Sequence, residues 1–232
     1  ERSRFAPTER SMEIMNEVAR LFRRLQRELP GLGGLAFLGS RTIGQERPDS
    51  DLDTMFFYDF STCRSPEEEQ GTPIMTKRQQ ETALYERIAA DLFPLFERYG
   101  IKKSGFNLVD ISPENIETEL EELISDIEAR INERSPDGQK QGTEEITDGR
   151  GWKGMELSWL FLLGIGEGLY AARKRVLDRL EGRPHGELFF RVIMQRLKTL
   201  SSKANAYPSF QGFPASIAAA RRYFLAKERA SL

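Results

Sequence analysis

The chain predicts an α+β protein: an N-terminal part of short strands between helices, followed by an all-helical C-terminal part. Two observations carry this. Up to residue 132, stretches with apolar residues at three- and four-residue steps alternate with short apolar runs; beyond residue 152 only the helical rhythm remains. Its 232 residues, 39% of them hydrophobic, suffice for one large domain or two small ones with real cores.

The first helix is expected over about Thr8–Glu28, with Met12, Met15, Val18, Ala19, Phe22 and Leu25 as its apolar positions, ended by Pro30 and Gly31. Leu35–Leu38 reads as a buried strand broken by Gly39 and Ser40. Leu52–Tyr58 is apolar on both faces, which places it inside a sheet covered on each side. Ser61–Thr76, with Pro66, Gly71, Pro73 and three consecutive glutamates, reads as a polar, mobile loop. A second helix over Lys77–Tyr99 carries Leu84, Ile88, Leu92 and Phe96 on one stripe and is capped by Gly100. Phe106–Ile111 is a third strand. Pro113 opens a third helix to about Asn132, with Ile116, Leu120, Leu123, Ile124 and Ile127 apolar.

These signals set the expected boundaries: residues 1–132 as one domain, 133–151 as a polar, Gly-rich linker or flexible loop, and 152–232 as a helical domain. In the last, helices are expected over Lys153–Leu180, Gly186–Ala204 and Pro214–Lys227. Gly164, Gly166 and Gly168 alternate there, but no strand precedes them, so they read as close helix packing and not as a dinucleotide loop.

Composition narrows the function. With 34 basic and 36 acidic residues the net charge is −2, which gives no bulk attraction to nucleic acid or membrane. The single cysteine, Cys63, forbids an internal disulfide or a Cys-rich zinc site and suits a cytoplasmic protein. The single histidine, His185, lies in a turn-like stretch and reads as a loop residue. The longest apolar stretch, Trp159–Ala172, contains Glu167 and is shorter than the ~20 residues a membrane-spanning helix needs.

Chemistry concentrates in the segment Leu38-Gly39-Ser40-Arg41-Thr42-Ile43-Gly44-Gln45-Glu46-Arg47-Pro48-Asp49-Ser50-Asp51-Leu52-Asp53. Asp51 and Asp53 stand two apart, so on a strand both carboxylates leave one face while Leu52 packs the other way. Two carboxylates on a rigid face make a hard oxygen site suited to Mg²⁺, whose remaining ligands are phosphates and waters. Gly39 permits close backbone approach. Ser40 offers a hydroxyl and an N–H at the start of a helical turn, and Arg41 a guanidinium that suits phosphate oxygens. Asp49 and Ser50 read as turn formers.

This segment resembles the signature of the DNA polymerase β-type nucleotidyltransferases: apolar-Gly-Ser, a spacer of about ten residues, then Asp-apolar-Asp opening a strand. The likeness covers the motif and the helix–strand order from Met12 to Ile111, and the form Gly-Ser-Arg-x-x-Gly with Pro-Asp-Ser-Asp-Leu-Asp is that of the small members. It implies a small mixed sheet flanked by helices and a metal-dependent transfer of a nucleotidyl group from an NTP, ATP first, to an acceptor with release of pyrophosphate. Mg²⁺ or Mn²⁺ would be held by Asp51 and Asp53. Gly39 and Ser40, assisted by Arg41, would hold the β- and γ-phosphates.

Active members of that family place a third acid on a later strand. The family pattern sets Asn107 there; a shift of register by one or a bulge would bring Asp110 into the metal site instead, and Asp110 is otherwise a turn or cap residue before Pro113. The resemblance leaves the acceptor open between a small molecule, a protein side chain and an RNA end. The aromatic strand ending Phe57-Tyr58-Asp59 looks slightly like the members that adenylylate glutamine synthetase, and the charge balance weighs against a long RNA. A degraded, nucleotide-binding or protein-interaction module is the competing reading, fed by Asn107.

In the C-terminal part, Arg173, Lys174, Arg175 and Arg179 offer either an acceptor-binding face or an ordinary solvated one. Glu167 fits a polar helix stripe. Tyr207, Phe210 and Phe213 fit a loop packed on the core. Long apolar helices there leave open a homodimer.

Overall fold

The computed structural model describes residues 7–44, 46–47, 50–63, 76–101, 105–132, 156–162, 164–200 and 214–225. Among the described residues it is α+β, with one mixed four-stranded sheet. The chain divides into two compact units: residues 1–112 with 163–169, and residues 113–162 with 170–232.

In the first unit, helix α1 (Glu9–Glu28) leads into β1 (Leu32–Leu38), then β2 (Asp53–Tyr58), helix α2 (Lys77–Arg98) and β3 (Phe106–Asp110). A fourth strand, β4 (Gly164–Ile165), completes the order β3-β2-β1-β4. β1 runs antiparallel to β2 and β4, and β2 runs parallel to β3. β2 is thus interior, and Thr54 to Tyr58 are all buried, as a strand apolar on both faces requires.

α1 starts at Thr8, whose side chain accepts from Ser11 N, and α2 starts with a capping box between Thr76 and Gln79. On α1 the buried stripe is Ile14, Val18, Leu21, Phe22 and Leu25. Met12, expected on it, is 49% exposed because a helix turning 100° per residue carries it off that line. On α2 the stripe is Leu84, Ile88, Leu92 and Phe96, as expected. Both helices pack on one sheet face, in a cluster that includes Leu35, Leu52, Phe56 and Phe106. Phe106 is pinned edge-on by Phe56 at 5.4 Å and stacked by Tyr85 at 4.2 Å.

The second unit contains helix α3 (Pro113–Asn132), a short helix α4 (Glu156–Trp159), most of helix α5 (Glu167–Leu180), helix α6 (Gly186–Leu200) and helix α7 (Ile217–Ala220), which runs into a π turn at Arg221–Leu225. The stripe Ile116, Leu120, Leu123, Ile124 and Ile127 on α3 is buried, as expected. Arg173 is buried as well; its Nε donates to the Leu160 carbonyl at 2.5 Å, a second nitrogen donates to Leu162, and its guanidinium lies 5.1 Å from the Phe224 ring.

Two expectations are corrected. The span Lys153–Leu180 is not one helix among the described residues: Gly164 and Ile165 pair with Ala36 and Leu35 as β4, and α5 begins only at Glu167. A Cβ at Gly168 would fall 2.6 Å from Gly33 Cα, so the alternating glycines serve close backbone approach to β1, not helix–helix packing. The first compact unit ends at Ser112 and takes in 163–169. The expected linker 133–151 and the aromatics Tyr207, Phe210 and Phe213 lie outside the described residues, as does nearly all of the expected loop 61–76.

Candidate functional site

β1 ends at Leu38, and Gly39 takes φ +87° and ψ −175°, a region open essentially to glycine alone. The chain then closes a 3₁₀ turn, Ser40–Ile43, and Gly44 ends it in the left-handed region. Thr42 Oγ1 donates to the Gly39 carbonyl at 2.8 Å.

Ser50 is the hub of the loop back to β2. Its hydroxyl accepts from Arg47 N at 2.8 Å and from Ser40 Oγ at 3.1 Å. Its carbonyl accepts from Arg41 Nε at 2.9 Å and Arg41 Nη2 at 2.7 Å. Ser50 is therefore a turn organiser, as expected; Asp49 lies outside the described residues. Arg41 is placed differently from its expected phosphate role: only 4% exposed, it turns inward and holds the loop closed.

Asp51, Leu52 and Asp53 alternate exposed, buried and exposed, the two-residue rhythm of a strand already in force just before β2. An added Cβ at Gly39 would lie 2.6 Å from Asp53 Oδ2, so this carboxylate leans over the Gly39 backbone. Among the described residues, no group of three or more His, Cys, Asp or Glu side chains is gathered as a metal site. Asp51 and Asp53 are both exposed, and two carboxylates of this kind would fit Mg²⁺, which is held by one or two carboxylates with substrate phosphates completing its shell.

The register of β3 decides the third position. Met55 pairs with Asn107 and Tyr58 with Asp110. Paired residues of parallel strands share a face, so Asn107 is exposed on the face of Asp53, two residues along. Asp110 is on the opposite face, five residues or roughly 16 Å further down the strand direction. The expectation that Asp110 joins the metal site is overturned: no bulge shifts the β2–β3 ladder. Asp110 instead accepts from Ser112 N at 2.8 Å and pairs with Lys77 Nζ at 2.6 Å, which makes it the turn residue at the end of β3.

Glu46, which the sequence reading passed over, ties this loop to α1. Its Oε1 accepts from Ser11 Oγ at 2.7 Å and from the Thr8 hydroxyl. Burial pushes its carboxyl up, but the hydrogen bonds of Thr8 and Ser11, with the Arg41 charge, outweigh that and hold it below the usual range. The one sequence signal for it was the pairing of a helix cap at Thr8 with an acid in the middle of the spacer.

In the second unit Lys174 pairs with Asp178 at 2.6 Å, and Arg179 pairs with Glu117 at 2.7 Å and Glu121 at 2.8 Å. Arg173 is buried, so it belongs to neither an acceptor-binding nor a solvated face, while Lys174 and Arg179 are paired within their own unit. No family model matches the chain, and neither a curated protein nor a solved structure is significantly similar to it. No helix among the described residues is long and apolar enough to cross a membrane.

Proposed function

We propose that the chain is a metal-dependent nucleotidyltransferase that binds Mg²⁺–NTP, ATP first, at Gly39, Ser40, Asp51 and Asp53. One observation carries the reading: the Asp53 carboxylate, at the start of β2, leans over the glycine turn that ends β1. Asp51 and Asp53 would hold the ion, Gly39 would let the phosphates approach the backbone, and Ser40 would present its hydroxyl beside them. When bound, Mg²⁺ neutralises the triphosphate and lowers the pKa of the attacking hydroxyl. The acceptor oxygen forms a bond to the α-phosphorus, the bond to the bridging oxygen breaks, and pyrophosphate leaves. Asn107 carries no charge and is a poor base, so the hydroxyl proton goes to solvent and not to a side chain at that position. The charge balance favours a small molecule or a protein as the acceptor.

Asn107 favours a second reading, a module that binds nucleotide without transferring it. Titration with each of the four NTPs and Mg²⁺, following binding and pyrophosphate release together, separates the two. Mg²⁺-dependent binding with release is expected, and Asp51→Ala or Asp53→Ala should each abolish both while leaving the circular dichroism spectrum intact. Binding without release, with release gained in Asn107→Asp, points to the second reading. Full Mg²⁺-dependent turnover in either Asp variant would remove the site assignment.

A further inference from the structure

We infer that Glu46 is a positioning residue, which fixes the 39–53 loop on α1 and so sets the distance between the Gly39 turn and the Asp51–Asp53 pair. The inference rests on the proposed nucleotide site. Its basis is a continuous set of contacts. Thr8 and Ser11 at the start of α1 donate their hydroxyls to one Glu46 oxygen, and Ser11 is fully buried. Thr8 also accepts from Ser11 N at 3.2 Å, so the same residues cap the helix and hold the loop. The Arg41 charge adds a smaller attraction for the Glu46 carboxylate, and Arg41 itself clamps the Ser50 carbonyl, one residue before Asp51.

The other Glu46 oxygen, Oε2, is buried with no hydrogen-bond partner. A buried carboxylate oxygen left unmatched costs stability. Glu46 keeps that place because its other oxygen ties the loop to α1 through Thr8 and Ser11. With Glu46 gone, the loop loses its anchor on α1, while the sheet and the helix stripes below are untouched.

The test uses the full chain as Glu46→Ala, Glu46→Gln and Ser11→Ala. Hydrogen exchange of the amides in 40–53 is read beside MgATP affinity. In Glu46→Ala, exchange of that segment should rise and MgATP affinity should fall, each by about tenfold, with the α2 amides and the β2 amides from Thr54 onward unchanged. Glu46→Gln, which keeps an oxygen for Thr8 and Ser11, should recover part of both. Ser11→Ala should move both in the direction of Glu46→Ala by less, and it carries the test if Glu46→Ala does not fold. Where turnover is measurable, the loss should sit in KM more than in kcat. Unchanged exchange of 40–53 would overturn the inference, as would an increase spread evenly over the first unit, the mark of a merely structural role. If the unsubstituted chain binds no nucleotide, the site reading fails on its own, and the exchange arm still decides whether Glu46 holds the loop.

Discussion

Gly39 is the residue on which the site's geometry depends most. Its φ of +87° with an extended ψ excludes a side chain for conformational reasons, and Asp53 excludes one for steric reasons, since a Cβ would lie 2.6 Å from Oδ2. Gly39→Ala should therefore cost about 1–3 kcal/mol of stability and swing Asp53 out of place. Urea unfolding and MgATP titration of the variant read the two effects separately. A variant with native stability and native affinity would mean that the Asp53 carboxylate does not need its place over the turn. Asp110 and Asn107 make the complementary point. They are three residues apart on one strand, yet only Asn107 shares the Asp53 face, because strand side chains alternate.

At the scale of elements, α1 and α2 are held by the apolar stripes beneath and by ion pairs above. Asp91 on α2 pairs with Arg87 Nη1 at 2.7 Å and with Arg24 on α1 at 3.0 Å. The hydrogen bond from Arg87, against burial and with the Arg24 charge, holds the Asp91 carboxyl below its ordinary 3.8. A carboxyl lowered in the folded state stabilises it fully above that ordinary value, and the contribution fades as pH falls through the lowered value. Thermal unfolding followed from about pH 5 to about pH 2 should thus show a shallower acid decline in Asp91→Asn than in the unsubstituted chain. Superimposable declines would mean that the pair adds nothing. The sheet shows the same dependence on context: β4 is only two residues long, and it exists because Gly164, Gly166 and Gly168 let the backbone come up against β1.

At the scale of the whole chain, the first unit is discontinuous, since residues 163–169 complete a sheet begun 130 residues earlier at β1. A chain cut after Asn132, at the boundary the sequence pattern suggested, would leave Leu35 and Ala36 on an unpaired edge and uncover Gly33 and Gly34, which Gly168 and Leu169 adjoin. Such an edge is prone to pair with another chain. The truncated chain should elute from size-exclusion chromatography as aggregate or unfold at a markedly lower temperature than the full chain. A monomer of native stability would show that β4 is dispensable.

What the sequence determined by itself was local. The stripes of α2 and α3 are legible because a helix buries residues at its own period, and the Asp51–Asp53 pair is legible because two residues are one strand repeat. The turn role of Ser50 and the interior place of β2 follow from the same short-range rules. Tertiary structure decided everything that depends on which strand lies beside which. The register of β2 against β3 put Asn107, not Asp110, beside the Asp pair, and the return of Gly164–Ile165 to β1 completed the sheet. It also turned Arg41 inward to Ser50 and brought Glu46 to Thr8 and Ser11, across 38 and 35 residues of chain. Composition and period carry no record of such pairings, because a contact between distant residues is fixed by packing and register, and neither is written in any one stretch of the chain.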